Sequence, residues 1–126
     1  MDIPPLISVV DNDESVRESL PDLLREFGFA AQTFSSAEEF LTSHYLHATK
    51  CLILDVAMPG LSGPDLQREL KRRQHKIPIV FITAHRDERV RPHLISKGAV
   101  ECLFKPFSDS ELLEALNSAL RQSSPI

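Results

Sequence analysis

An acidic, a hydroxyl or a basic side chain stands at the end of four apolar segments of this 126-residue chain. In chain order, these positions and their neighbours are Asp11, Asn12, Asp13, Asp55, Thr83 and Lys105. A carboxylate can act as a nucleophile, a second carboxylate favours a divalent cation, and hydroxyl and ammonium groups can neutralise anionic oxygens. If the segments end at one edge of the fold, this set of groups suits phosphoryl transfer to a carboxylate.

The apolar segments are short and bounded by turn residues, a pattern typical of strands buried on both faces of a sheet. The predicted strands cover residues 6–10, 30–34, 51–54, 79–83 and 100–104. Segments with apolar residues at helical spacing alternate with them, at 14–27, after Ser35 and Ser36, at 63–73, at 87–97, and from Ser108 and Asp109 onwards. Pro21 should bend the first helix, and Pro92 should interrupt the fourth.

Strand and helix alternate five times along the chain, which predicts an α/β fold. We expect a (βα)5 doubly wound, five-stranded parallel sheet of the flavodoxin-like type, with strand order 2-1-3-4-5 and right-handed connections. In open sheets of this kind, ligands bind in the crevice outside the carboxyl ends of the strands. The side chains named above should therefore meet at that edge, with Asp55 on the central strand.

The composition limits the classes of protein to which the chain can belong. It has 42% hydrophobic and 25% charged residues, as expected of one globular domain. A net charge of -4 argues against direct nucleic-acid binding, and the apolar runs are too short to cross a membrane. Cys51 and Cys102 lie in strand-like segments without a CxxC motif, which indicates reduced, buried thiols in a cytoplasmic protein.

Four separated motifs stand in the order in which a known family carries them. They are VVDND at 9–13, LILDVAMPGLSG at 52–63, FITAH at 81–85 and LFKPF at 103–107. Through these motifs the chain resembles the response-regulator receiver domain of two-component signalling, over nearly its whole length. The segments ESVRESL at 14–20, SAEEFL at 36–41 and KPF at 105–107 are most similar to the FixJ-like branch of that family.

The resemblance implies that Asp55 accepts a phosphoryl group. It also implies that Asp55, Asp11 and the backbone carbonyl of Ala57 hold Mg²⁺ or Mn²⁺. The second acid of the family's pair is Asn12 here, whose amide oxygen can ligate a metal but carries no charge. We therefore expect weaker Mg²⁺ binding than an Asn12→Asp variant would show. Asp13 stands at the start of the first helix, where a capping role is favoured over metal binding.

The resemblance also implies roles for residues near the fourth and fifth strands. Thr83 would bind a phosphoryl oxygen and move on phosphorylation, and Lys105 would pair with the phosphoryl group. The bond between Lys105 and Pro106 is expected to be cis, an isomer found mainly at X-Pro bonds. Cys102 stands where the family often has an aromatic switch residue, so a rotamer switch coupled to Thr83 should be muted or use other residues.

The partners follow from the same resemblance. A sensor histidine kinase would supply the phosphoryl group, and a DNA-binding effector domain in the same full-length chain would respond to it. The domain would catalyse its own phosphorylation and dephosphorylation rather than turn over a separate substrate.

Residues 1–122 are predicted to form the receiver domain and 123–126 to start a linker. The face of residues 87–107 is a candidate surface for a homodimer or for the effector.

Three other functions remain open at this stage. Asn12 could mark a degenerate acidic site in a phosphorylation-independent interaction module. A phosphatase with an aspartyl nucleophile commonly has a general acid two residues after it; Ala57 occupies that position here, which counts against this function. Flavin-binding proteins share the predicted fold, but no residues of this chain support flavin binding. The shared fold alone is not evidence for that function.

Three of the five histidines are considered as candidate functional residues. His44 and His47 are three residues apart, which is a weak spacing for metal ligands without further donors. His85 follows the fourth predicted strand and is expected at the surface beside the acidic edge.

Overall fold

The computed structural model of the chain describes residues 3–85 and 87–123. Its strands are β1 Leu6–Val10, β2 Ala30–Phe34, β3 Thr49–Asp55, β4 Ile79–Thr83 and β5 Glu101–Phe104. Its α-helices are α1 Glu14–Glu26, α2 Ala37–Leu41, α3 Gly63–Arg72, α4 Val90–Ser96 and α5 Asp109–Ser123, with one 3-10 helix at Leu46–Ala48. The strands form one sheet in the order β2-β1-β3-β4-β5, with all pairs parallel, which confirms the predicted fold.

The two faces of the sheet are covered by different helices. Cys51 and Ile53 of β3 pack with apolar residues of α1 and α5, such as Leu24 and Leu116. The alternate β3 residues, Leu52 and Leu54, pack on the other face with residues of α2, α3 and α4, which include Phe40, Leu66 and Leu94. Because successive strand residues point to opposite faces, β3 is buried on both sides, as its continuous apolar run predicts.

Helix α4 is shorter than the predicted segment 87–97. It begins at Val90, so Pro92 is its third residue. The first four N–H groups of a helix have no intrahelical partner, and a proline there removes no hydrogen bond. The prediction that Pro92 interrupts this helix was therefore wrong. Pro21 is buried inside α1, which runs without a break from Glu14 to Glu26.

The predicted domain boundary and linker are only partly within the described residues. Helix α5 includes Ser123, the first residue of the predicted linker, whereas 124–126 lie outside the described residues. Within residues 3–85 and 87–123, none of the helices combines the length and apolar character that a bilayer crossing requires.

Candidate functional site

The predicted site residues meet at one edge of the sheet. Asp55 and Thr83 are the last residues of β3 and β4, while Asp11 and Lys105 follow β1 and β5 directly. Because all strands are parallel, their carboxyl ends lie at the same edge. The backbone N–H of Lys105 donates to the carbonyl oxygen of Thr83 at 2.8 Å, which holds the residue after β5 against the end of β4.

Lys105 forms an ion pair with the buried Asp11. Its Nζ donates to Oδ2 of Asp11 at 2.8 Å, and the Lys105 side chain is only 19% exposed. Oδ1 of Asp11 accepts the backbone N–H of Asp13 at 2.8 Å. Charge-assisted hydrogen bonds of this kind are short and strong, and they offset the cost of removing a carboxylate from water.

Asp55 lies next to this pair and is 6% exposed. Burial of the Asp55 carboxyl, together with the charge and hydrogen bonding of Asp11, raises its pKa to about 7. The Lys105 ammonium and a hydrogen bond from the Ala57 backbone act in the opposite direction. Two carboxyl groups in contact cannot both ionise freely, and strongly perturbed acids of this kind cluster at functional sites.

Side chains and backbone groups at the start of α1 hold the loop between β1 and α1 by hydrogen bonds. Oδ1 of Asp13 accepts the backbone N–H of Ser15 at 2.9 Å and its hydroxyl at 2.8 Å, which lowers the pKa of Asp13. The Asp13 carboxylate is thus engaged as the N-cap of α1. The guanidinium of Arg17 donates to the backbone carbonyl of Asp11 at 2.8 Å. Arg17 was not identified from the sequence as a residue of the site. Only its position one turn into α1 could have indicated this contact with the loop.

The loop between β3 and α3 passes very close to Asp55. A Cβ atom at Gly63 would lie 2.4 Å from the backbone oxygen of Asp55 and 3.0 Å from the ring of Phe81. Only glycine allows this approach. Ser62 begins α3 with a reciprocal capping box to Asp65, so the helix starts directly after the loop. This constraint was also not recognised from the sequence.

The remaining predicted residues lie on β4, β5 and the loops after them. Thr83 is buried, and its Oγ1 accepts the backbone N–H of the exposed His85 at 3.1 Å. The bond between Lys105 and Pro106 is cis. Cys102 is buried on the face covered by α2, α3 and α4, and burial raises the pKa of its thiol to about 11.

The metal-binding capacity of this edge rests on two acids. In the described ranges, no three or more His, Cys, Asp or Glu side chains gather as a metal-binding group. The Asp11 and Asp55 carboxyl groups are in contact, and Asn12 is exposed beside them on the β1–α1 loop. A cation here would be held by two carboxylates and by neutral oxygens, a donor set that suits a hard divalent cation.

A doubly wound parallel sheet with paired carboxyl groups and a lysine at the carboxyl edge defines a receiver-type signalling domain. The chain belongs to the response regulator receiver domain family, whose model matches residues 7–117. The predicted resemblance is therefore confirmed.

Individual relatives agree with this assignment. Nodulation protein W of Bradyrhizobium diazoefficiens is 46% identical over 114 residues, which are 90% of this chain and 50% of that protein. Response regulator protein TodT of Pseudomonas putida is 44% identical over 116 residues, 92% of this chain and 51% of that protein. The crystal structure of FixJ-N superposes with a TM-score of 0.86 at 32% identity and covers 99% of this chain and 100% of that one. The chain spans about half the length of the curated relatives it matches.

Proposed function

We propose that this receiver domain accepts a phosphoryl group on Asp55 from a sensor histidine kinase and passes the resulting change to an effector domain. One observation carries the proposal. The Asp55 carboxyl touches Asp11, and Asp11 is held by Nζ of Lys105 at 2.8 Å, so that nucleophile, acid and ammonium share one edge. This is the set of groups that phosphoryl transfer to a carboxylate requires.

In the proposed reaction, a carboxylate oxygen of Asp55 attacks the phosphorus atom of a phosphohistidine. A P–O bond forms as the P–N bond breaks, and the histidine nitrogen keeps the electron pair. Attack by water on the aspartyl phosphate later releases inorganic phosphate. The nucleophile must be ionised, and a pKa of about 7 leaves a substantial ionised fraction of Asp55 at neutral pH.

Lys105 and Thr83 are the proposed partners of the phosphoryl oxygens. The Lys105 ammonium is already within hydrogen-bonding distance of the acidic pair, so it can exchange Asp11 for a phosphoryl oxygen. The Thr83 hydroxyl accepts from the backbone of His85 and can donate its own proton to an incoming oxygen. Both groups would neutralise charge that develops on the transferred group.

Asp11, Asp55, the amide of Asn12 and the backbone carbonyl of Ala57 would hold Mg²⁺. The contact between the Asp11 and Asp55 carboxyl groups supports this assignment, because a divalent cation would relieve the repulsion between two adjacent carboxylates. When bound, Mg²⁺ supplies positive charge next to the phosphoryl oxygens. Mn²⁺ accepts the same oxygen donors.

The proposed output uses the surface of residues 87–107. Strand β5 is an edge strand of the sheet, and Ile95 on the adjacent α4 is 37% exposed. An edge strand with an apolar neighbour can form the contact surface for a homodimer or for an effector domain.

Because the chain spans about half the length of its relatives, we place a DNA-binding effector domain beyond the described residues. The pair of buried thiols suits a cytoplasmic setting for this pathway.

A phosphorylation-independent interaction module is the second candidate function. Asn12 favours it, because the carboxyl groups of Asp11 and Asp55 are not joined by a third metal-binding acid in the part of the chain that the structure describes. In this case Asp55 would keep its structural contacts but would not be modified.

Mass spectrometry of the intact chain distinguishes the two functions. The chain is incubated with acetyl phosphate and Mg²⁺, and Asp55→Asn serves as the matched control. We expect one phosphoryl group on the native chain and none on the variant, with the adduct lost when EDTA replaces Mg²⁺. An unmodified native chain at saturating Mg²⁺ would favour the interaction module.

A further inference from the structure

Two imidazole rings meet at the edge of the sheet opposite the acidic site. His47 lies in the 3-10 helix before β3, and His75 lies between α3 and β4. Their ring centres are 5.1 Å apart, with an angle of 56° between the ring planes. From the sequence, His47 is considered together with His44, which is three residues away. In the structure, the ring of His44 contacts the ring of Tyr45, with 4.2 Å between the ring centres. Both His47 and His75 precede their strands, whereas Asp55 ends one.

Local hydrogen bonds hold the backbone on both sides of this pair. Around His47, the N–H of Ala48 donates to the carbonyl of Tyr45 at 3.0 Å, and the Thr49 hydroxyl donates to the same oxygen at 2.8 Å. The backbone N–H of His75 donates to the carbonyl of Leu70 at 2.9 Å and completes the C-terminal cap of α3. The two rings are therefore presented by segments that are already fixed.

The cap of α3 depends on an uncommon backbone conformation. Gln74 has a φ of 64°, in the left-handed region that residues other than glycine rarely adopt. This conformation turns the chain at the end of α3, so that His75 leaves the helix on the side of His47.

The ring nitrogens of the pair are available to a ligand. Across residues 3–85 and 87–123, neither imidazole takes part in a hydrogen bond or an ion pair, although the rings contact each other. His47 is exposed and His75 is half-buried, so each ring can be reached from solvent. A neutral imidazole offers one lone pair, and imidazole is the commonest protein ligand of transition metals.

We propose that His47 and His75 form a binding site for a divalent transition-metal ion of the Zn²⁺ type. Two imidazoles that ligate one tetrahedral Zn²⁺, each at about 2.1 Å from its nitrogen, have ring centres about 5 Å apart. The observed separation of 5.1 Å between the ring centres matches this spacing. Imidazole selects Zn²⁺, Ni²⁺ or Cu²⁺ over Mg²⁺, which prefers oxygen ligands, so the site is chemically distinct from the acidic edge.

The site supplies two protein ligands, and water completes the coordination. No third His, Cys, Asp or Glu joins the pair in the part of the chain that the structure describes. Lys71 and Lys76 line the same surface cavity as His75, and their positive charge opposes a cation. The affinity should therefore be well below that of closed sites with four protein ligands. Binding would join the 3-10 helix to the α3–β4 turn and stabilise the folded chain by mass action.

Isothermal titration of the whole chain with ZnCl₂ tests this site. Excess Mg²⁺ is present throughout to occupy the acidic edge, and His47→Gln, His75→Gln and His44→Gln are compared with the native chain. We expect one Zn²⁺ per native chain. Each variant of the pair should lose at least about tenfold in affinity because a single imidazole remains, and His44→Gln should bind as the native chain does.

Two further measurements keep the result interpretable. Thermal unfolding without metal should be the same for all four chains, since His47 and His44 are exposed and His75 makes no side-chain hydrogen bond to the described residues. In NMR spectra, Zn²⁺ should shift the imidazole protons of His47 and His75 together. Equal affinity of the pair variants and the native chain would overturn the proposal, and so would an equal loss of binding in His44→Gln.

Discussion

Nζ of Lys105 donates to Oδ2 of Asp11 at 2.8 Å, although 94 positions separate the two residues. In the sheet, β1 and β5 are separated by β3 and β4, so this ion pair reaches across the ends of two strands. Asp55 ends β3, one of those two strands, and its carboxyl interacts with Asp11 and with the Lys105 ammonium. Asp11 therefore interacts both with a lysine and with a second acid at this edge.

Loss of the Lys105 ammonium should destabilise the fold. In Lys105→Met, the buried Asp11 carboxylate has no counter-charge, and we expect a loss of about 3 kcal/mol in the free energy of unfolding at pH 8. Asp11→Asn should recover part of this loss in the double variant, because it removes the uncompensated charge. Urea unfolding of the four chains of the double-mutant cycle measures the coupling.

Lys50→Met is the matched control for this prediction, since Lys50 is exposed on β3. It should change the free energy of unfolding by less than about 0.5 kcal/mol. If the two single variants at Lys105 and Asp11 proved strictly additive, the ion pair would contribute nothing to stability.

The raised pKa of Asp55 makes stability depend on pH. Unfolded, this carboxyl ionises with a pKa of 3.8, whereas burial and Asp11 raise its pKa to about 7 in the folded chain. Between these values the folded chain binds a proton that the unfolded chain has released, so the contribution of Asp55 to stability falls as pH rises from about 4 to 7. Above pH 7 the contribution is constant and at its lowest.

Asp55→Asn should remove this dependence. In EDTA, the variant should be more stable than the native chain by about 4 kcal/mol at pH 8, and the difference should shrink towards zero near pH 4. Urea unfolding at several pH values measures it. A difference of the same size at pH 5 and pH 8 would contradict a pKa raised by burial.

Asn12→Asp should strengthen Mg²⁺ binding. The amide at Asn12 carries no charge, and an added carboxylate next to Asp11 and Asp55 should increase the affinity about tenfold at low ionic strength. Calorimetric titration with MgCl₂ measures the change. Equal affinities of the native chain and the variant would show that Asn12 does not face the cation.

Asp13→Asn is the matched control for the metal prediction. Asparagine caps a helix as well as aspartate does, so the variant removes one charge and keeps the start of α1. Because the Asp13 carboxylate is engaged by Ser15, we expect only a small change in Mg²⁺ affinity. A loss as large as the gain from Asn12→Asp would identify Asp13 as the missing second acid.

Gly63→Ala should disturb the acceptor site directly. Its Cβ would lie 2.4 Å from the Asp55 backbone oxygen, so the β3–α3 loop must shift at a cost of about 2 kcal/mol. Phosphorylation of Asp55 by acetyl phosphate should slow, because the carboxyl moves relative to Lys105. The free energy of unfolding and the rate of adduct formation measure the two effects.

Gly28→Ala separates backbone strain from this close approach. Gly28 has a φ of 95°, but a Cβ there meets nothing within 4 Å. The variant should lose about 1 kcal/mol through strain alone and should be phosphorylated at the native rate. If both variants lost stability but neither affected phosphorylation, contact with Asp55 would not matter for the reaction.

The pattern of apolar residues was enough to predict the sheet and the place of its acids. Short apolar segments at 51–54 and 79–83 predicted buried strands, and parallel pairing placed Asp55 and Thr83 at one edge. The length of α4 could not be predicted in the same way. Whether Pro92 interrupts a helix depends on the residue at which the helix begins. The packing of Leu94 against the sheet contributes to where α4 begins, and this contact is not visible in the sequence.

By itself, the sequence determined the order of strands and helices and the residue types at the strand ends, because hydrophobic periodicity and turn residues act over a few neighbouring positions. Only the tertiary structure decided the contacts between distant segments. The raised pKa of Asp55, the Arg17 bond to Asp11, the close approach at Gly63 and the pairing of His47 with His75 all belong to this class. Such distances depend on how whole helices pack on the sheet, and no local pattern in the chain encodes them.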